Sequence, residues 1–399
     1  MMSIMLSPMI EAGEHASRRL FLRAGAAAAG GAGLLAATAP AAEAATGSHV
    51  FRVAHFGARG DGRTDDTAAV QRAIDAACAY AARANGYARV EFDARTYRLA
   101  APPVRPRPGS THAAAQLLFP VRISGPQITV ELAGAGTQQG LQFIPDGQQT
   151  AAGTMLRSTV SATWDGLSTG MPPAVIASPK GDVWGGFNRV AVAITNIAVQ
   201  VPSNPSLAGL NLLWAPQVRL RGVRVCTPAP LPAVIEPKIP WATGIVLPGG
   251  GNNAVVYLRD VHVGGFYTGL LFGEHTDASS VVIFACKVGL APFGKRLHTA
   301  RFGLVTVECC PTVLSQVDWE VGRVAAKEGD SLKIDLLDVE EFNGFSRSLG
   351  WTTHDCHVYD PNNVLRGWIW MARSGADYLN IPLTLQGAKH LQIAEIQQT

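Results

Sequence analysis

Val190-Ala191-Val192-Ala193-Ile194-Thr195-Asn196, Val218-Arg219-Leu220-Arg221-Gly222, Val256-Tyr257-Leu258-Arg259-Asp260 and Val281-Val282-Ile283-Phe284-Ala285-Cys286 are short runs rich in β-branched residues, and their last residues lie 26, 38 and 26 positions apart. Repeats of roughly 20–50 residues are the mark of a solenoid, with loop insertions varying the spacing. A second repeat sits between them: Gly209-Leu210-Asn211-Leu212, Gly244-Ile245-Val246-Leu247 and Gly269-Leu270-Leu271-Phe272. Each rung therefore has at least two strands, with glycine at a bend. Stacked rungs pair each backbone with the rung above and below, about 4.8 Å away. The column Asn196, Gly222, Asp260, Cys286 is expected to stack small or polar side chains, which makes Asp260 a ladder residue before it is an acid catalyst.

The composition agrees. The chain has 399 residues, 47% hydrophobic and 16% charged, enough to bury a large core, and its 42 glycines and 25 prolines call for many turns without a collagen period. A net charge of +3 without basic runs gives no footprint for nucleic acid. Prolines 228, 230, 232, 237 and 240 build a stiff external loop, because proline donates nothing to a β-ladder.

The amino terminus reads as an address. Ser17-Arg18-Arg19-Leu20-Phe21-Leu22 precedes a weakly apolar Ala/Gly/Leu stretch, and Ala42-Glu43-Ala44 offers a small-residue cleavage site. Residues 1–45 thus look like a twin-arginine export signal, which implies a periplasmic or secreted protein with no membrane span in the mature chain. Gly25, Gly30, Gly31, Gly33 and Pro40 make the stretch too weakly hydrophobic to serve as a membrane span. Twin-arginine substrates fold before export in a reducing compartment. Cys78, Cys226, Cys286, Cys309, Cys310 and Cys356 lack metal-site spacing and are therefore read as buried free thiols.

Past the signal, Phe51-Arg52-Val53 is a short strand, and Gly60 to Thr67 is a turn of glycine and capping side chains. A helix is expected from Asp65 or Asp66, with Ala69, Val70, Ala73, Ile74, Ala77, Cys78 and Ala81 on one face and Asn85-Gly86 as its stop. Arg89-Val90-Glu91-Phe92-Asp93 follows as a strand that Tyr97-Arg98-Leu99 continues.

These residues carry a resemblance. His55-Phe56-Gly57-Ala58-Arg59-Gly60-Asp61-Gly62-Arg63-Thr64-Asp65-Asp66-Thr67, the helix after it and Val90 to Leu99 resemble the opening of the pectate-lyase-like superfamily, which includes rhamnogalacturonases, polysaccharide lyases, epimerases and phage tailspikes. The match covers roughly residues 51–100 and departs at Asp93-Ala94-Arg95, where the family favours Pro-Ala-Gly. It implies an all-β chain: a single-stranded right-handed parallel β-helix over residues 46–399, with an α-helical plug over 51–100 closing one end. Asp61, Asp65 and Asp66 then belong to the plug and to no catalytic or metal site. The aromatic residues 340–399 lose the clean repeat, and are expected to cover the far end or to form a homo-oligomer contact.

Such coils bind extended sugar chains along a side groove, so the implied partner is an extracellular, acidic polysaccharide. Gly273-Glu274-His275-Thr276-Asp277 reads as an insertion holding two carboxylates and an imidazole, with Glu274 and Asp277 as the acid pair and His275 as proton shuttle. Gln316-Val317-Asp318-Trp319-Glu320 offers a second pair, Asp318 and Glu320. Carboxylates about 5–5.5 Å apart retain, and about 6.5–9.5 Å apart invert, the sugar configuration. Trp241, Trp319 and Trp214 are candidate stacking platforms, and Arg259, Arg301, Lys287 and Lys295 are cations suited to a β-elimination. Neither the Asn-Thr-Asp with Gly-His-Gly set of polygalacturonases nor the Arg-x-Pro-x-x-Arg of pectate lyases occurs. Hydrolysis and elimination both stay open, as do a uronate epimerase and a non-catalytic glycan-binding or surface-assembly protein. Nothing in the sequence implies a cofactor, and His354, Asp355 and His357 match a metal site only loosely.

Overall fold

The computed structural model describes residues 49–396, apart from 85, 105–113, 123, 138–152, 161–172, 182–187, 203–206, 229–242, 249–253, 293–298, 316–330, 341–355, 361–362, 364–365 and 375–382. Strands stack in parallel from His49–Arg52 to Leu391–Ile396, and successive turns of the chain pair in register. It is a right-handed parallel β-helix.

Each complete rung has three faces. Val255–Gly264 is one strand by hydrogen bonding, but it bends at Asp260, whose φ is 53°. Residues 255–259 lie on a first face and 261–264 on a second, and Thr268–Phe272 then forms the third face before Thr276–Phe284 starts the next rung. Asn196 (φ 57°) and Gly222 (φ 59°) make the same left-handed corner in the two preceding rungs. Asn, Asp and Gly are the residues that tolerate this conformation.

The corner column continues differently from the expected one. Asp260 is followed by Ser280, whose Oγ accepts from the Asp260 N–H at 2.9 Å and donates to Asp260 Oδ1 at 2.8 Å. Cys286 instead lies beyond the second face, where its N–H points to Cys310 Sγ of the next rung at 3.3 Å. Val281–Phe284 lies on the second face and Ala285-Cys286 on the corner after it, whereas Val218–Gly222 and Val256–Asp260 belong to the first face and its corner, so lining up the runs by their ends mixed two corners. Cys78, Cys226, Cys286, Cys309 and Cys310 are buried and form no disulfide.

Alternation in each strand sends every second side chain into the coil. Val90, Leu132, Ile194, Leu220, Leu258, Ala278, Phe302, Ile334, Ile369 and Ile393 form one continuous inward column. Leu117, Ile176, Leu210, Ile245, Leu270, Leu290 and Leu314 line the third face from inside. Each fully buried Val, Leu, Ile or Phe among them contributes about 1.5–3 kcal/mol by leaving water.

Beside them runs a column of glycines, Gly209, Gly244, Gly269 and Gly289, that look onto the second face across the interior. A methyl at Gly209 or Gly244 would overlap Val225 or Val263, and one at Gly269 would lie 2.5 Å from Ile283 Cγ2. These glycines serve by lacking a side chain, since they let the second and third faces close on a narrow interior.

The helix Thr67–Ala84 covers the amino-terminal end, burying Val70, Ala73, Ile74, Ala77 and Ala81 completely. The aspartates before it build the plug. Asp66, 1% exposed, accepts the backbone N–H of Arg59 (2.7 Å) and Gly60 (3.0 Å), and its burial raises its pKa. Asp61 accepts the N–H groups of Thr64 and Arg63, which lower its pKa to about 2. Asp65 holds Thr67 and the Ala100 N–H.

Two further expectations are corrected. Thr96–Leu99 does not extend Tyr87–Glu91. It lies one face on, pairing with Asp61–Asp65 and Thr154–Ser158, because the chain turns a corner at Asp93–Arg95. The rungs also continue past 340: Gly367–Ser374 and Leu391–Ile396 extend the first sheet, and Cys356–Asp360 and Leu383–Gly387 the third face. No helix among the described residues is long and apolar enough to cross a membrane.

Candidate active site

The outward positions of the second face bring together the chemically richest side chains. Five rungs repeat one four-residue pattern there: Val223-Arg224-Val225-Cys226, Val261-His262-Val263-Gly264, Val281-Val282-Ile283-Phe284, Val305-Thr306-Val307-Glu308 and Leu337-Asp338-Val339-Glu340. The first and third residues enter the core and the second and fourth face out, in two parallel columns. One column reads Arg224, His262, Val282, Thr306, Asp338, and the other Cys226, Gly264, Phe284, Glu308, Glu340.

Although they point outward, these side chains are largely closed off: Arg224 is 7%, Phe284 5% and Glu308 9% exposed. A low local dielectric makes each charge matter more. Glu308 and Glu340 are register partners on adjacent rungs, and Asp338 lies two residues before Glu340 on the same side. Burial, a hydrogen bond with the Asp338 side chain and the charges of Asp338 and Glu308 together push the Glu340 pKa up to about 7. Burial, then the charge of Asp338, raises that of Glu308. With its pKa near 7, Glu340 is about half protonated at neutral pH, and its hydrogen bond with the Asp338 side chain favours the protonated form. A proton donor beside further carboxylates is the equipment of general acid–base catalysis.

At the other end of the stripe the chemistry is cationic. Burial lowers the pKa of Arg224, and burial followed by the charge of Arg224 lowers that of His262, which favours a neutral imidazole. The cleft between Arg224, His262 and Phe284 measures about 10 Å³, room for one water molecule, so a sugar ring would lie over the stripe.

The residues singled out from sequence lie elsewhere. Gly273–Asp277 is no inserted loop: Gly273–His275 is a corner, and Thr276 already begins a strand. Glu274 is 2% exposed at that corner, while Asp277 is exposed on the first face beside Tyr257 and Arg301. The acid pair expected there is therefore split between interior and surface. His275 has φ 57° and a buried Nδ1 that meets no partner among the described residues. Arg259 and Arg301 are exposed on the first face, Arg301 bonded to Asp335 at 2.9 Å. Trp214 packs half-buried against Leu213, Val246 and Leu271 outside the third face, with Lys180 Nζ 5.2 Å from its ring. Lys287 Nζ lies 5.3 Å from the Tyr267 ring. Asp318, Trp319, Glu320, Trp241, Lys295, His354 and Asp355 fall outside the described residues, as does the His357 side chain.

Glu308, Asp338 and Glu340 escaped the sequence reading because they sit inside strands and not in a loop, and Glu308 lies 32 positions from Glu340. The Val-x-Val-x pattern was the available signal, since it fixes which acids share a side one rung apart.

No family model and no curated protein matches the chain. Solved structures do. The family 28 exopolygalacturonase of Yersinia enterocolitica is 14% identical, with 87% of this chain and 77% of that one covered and a TM-score of 0.34. The A-module of the Azotobacter vinelandii mannuronan C-5 epimerase AlgE4 is 14% identical, with 86% and 94% covered and a TM-score of 0.33. ORF18 of Geobacillus virus E2 is 13% identical, with a TM-score of 0.30; 82% of this chain matches about half, 53%, of that one. The likeness is one of fold.

Proposed function

We propose that the protein is an exported enzyme that cleaves glycosidic bonds of an extracellular polysaccharide by hydrolysis, with Glu340 as proton donor and Glu308 and Asp338 as the carboxylates that activate water or stabilise the sugar cation. The observation carrying this reading is the raised Glu340 pKa, about 7, within a three-carboxylate cluster on the outward side of stacked strands. Asp338 and Glu340 lie on one strand and are hydrogen-bonded through their side chains, and Glu308 is the register partner of Glu340 on the adjacent rung, about 4.8 Å away along the coil. Partial burial and the neighbouring carboxylates bring the proton affinity of this acid up to the neutral range. Export rests on Arg18-Arg19 and the apolar stretch that follows them.

Incubation of the mature protein with a panel of neutral and acidic polysaccharides tests the reading. New reducing ends, lost in Glu340→Gln and Glu308→Gln by roughly 10²–10⁴ in rate, are expected. Products absorbing as unsaturated uronates would replace hydrolysis by elimination. Binding without cleavage, unaffected by these variants, would favour the non-catalytic alternative.

A further inference from the structure

A second concavity lies at the amino-terminal end of the coil, several rungs before the carboxylates. The capping helix, the segment after Leu99 and the first strand of the third face, Ala115–Leu118, border a cleft of about 590 Å³. That volume falls in the range of small-molecule sites. Ala68, Val104, Leu118, Phe119 and Pro120 make its walls apolar, and no Lys, Arg or His lines it.

The hydrogen bonding of the cleft is one-sided. Every donor hydrogen on its polar side chains is already engaged. Thr67 Oγ1 donates to Asp65, and Gln71 Nε2 donates to the Leu118 carbonyl (2.8 Å) and to Asp75 Oδ1 (2.9 Å). Gln116 Nε2 donates to the carbonyls of Ala101 (2.8 Å) and Leu99 (3.2 Å), which fixes its amide. Gln116 is 3% exposed, and its Oε1 is left buried without a partner among the described residues. What remains open is acceptor capacity: Gln116 Oε1 and the exposed carboxylate of Asp75, which among the described residues accepts only the Gln71 bond.

We propose that this cleft binds an organic ammonium ion, an aliphatic or aryl amine whose apolar body fills the walls and whose N–H donors serve the acceptors that the fold leaves open. A buried acceptor without a donor is unfavourable, so a donor brought to it is favoured. A carboxylate or phosphate would meet acceptors only and would face the Asp75 charge. A neutral alcohol forgoes the charge-assisted bond to Asp75. A sugar carries more hydroxyls than apolar walls can receive. The inference is independent of whether Glu340 acts as a catalyst, since no residue of the carboxylate cluster lines the cleft.

Calorimetric titration of the full chain at neutral pH with hexylamine, hexanol and hexanoate tests it with one body and three heads. Saturable binding of hexylamine is expected, weaker binding of hexanol, and none of hexanoate. Asp75→Asn should weaken hexylamine about tenfold and leave hexanol unchanged. Gln116→Met, close in length but without the amide oxygen, should weaken both. Ala68→Trp fills the cleft from an exposed helix position and should abolish both at the parent melting temperature, which keeps the test valid if Gln116→Met unfolds. Absence of saturable hexylamine binding would overturn the proposal, as would equal binding of hexanoate, or hexylamine binding that Asp75→Asn and Ala68→Trp leave unchanged.

Discussion

Replacing Asp338 with Asn probes the carboxylate cluster without touching the acid it is meant to tune. Glu340 is pushed from an ordinary 4.5 to about 7 by burial, by its hydrogen bond with Asp338 and by the charges of Asp338 and Glu308. In Asp338→Asn one of these charges disappears, and the new amide donates to an ionised Glu340, so both changes favour the charged form. The Glu340 midpoint should fall by roughly one pH unit or more, the usual effect of a close like charge. In the parent about a tenth of Glu340 keeps its proton at pH 8, and the rate of a reaction needing that proton should drop about tenfold per pH unit above 7. Asp338→Asn should move this alkaline limb to lower pH. Carboxyl-selective ¹³C NMR follows the same midpoint without substrate. A parent midpoint near 4.5, or one that Asp338→Asn leaves in place, would refute the reasoning. Stability carries the same signature: the folded chain holds this proton more tightly than the unfolded one, so stability is full below the unfolded value of 4.5 and falls as pH rises through about 7. Solvent screening of a partly exposed group limits that loss to about 1 kcal/mol.

Gly244→Ala should destabilise the coil by about 3 kcal/mol in urea titration, since its methyl would overlap Val263 and lie 2.9 Å from the Gly269 carbonyl oxygen; Val263→Ala in the same chain should recover part of the loss. Asp66→Ala leaves the buried N–H groups of Arg59 and Gly60 unpaired and should cost about 3 kcal/mol, with proteolysis beginning at the plug; a neutral melting temperature would remove Asp66 from its role. Arg18→Lys with Arg19→Lys should retain the protein in the cytoplasm if the leader is read by the twin-arginine machinery, and fractionation of cells decides it.

Much of the coil was legible because stacking demands repetition. The runs at Val190, Val218 and Val256, the second repeat at Gly209, Gly244 and Gly269, and the helix face from Ala69 to Ala81 each repeat a spacing that the structure uses. What stayed hidden was the bend within a strand. Asn196, Gly222 and Asp260 turn the chain through a left-handed corner while hydrogen bonding continues on either side, so one strand by sequence serves two faces. That corner decides the side on which a residue emerges. Sequence proximity therefore grouped Glu274 with Asp277, which the fold separates, and missed Glu308 with Glu340, which are 32 positions apart and adjacent across one rung.

The alternation on the second face gives the coil a grid of addresses. Valine, isoleucine and leucine at the first and third places of each four-residue run satisfy the interior, which leaves the second and fourth places to define the outer surface. Phe284 and Val282 occupy the addresses that Glu308 and Thr306 hold one rung later, and Glu340 and Asp338 hold two rungs later. Moving the acidic group along the axis then means changing outward letters together with the side chains that cover them, and the distance between a reacting bond and the Arg224 end becomes adjustable in steps of one rung.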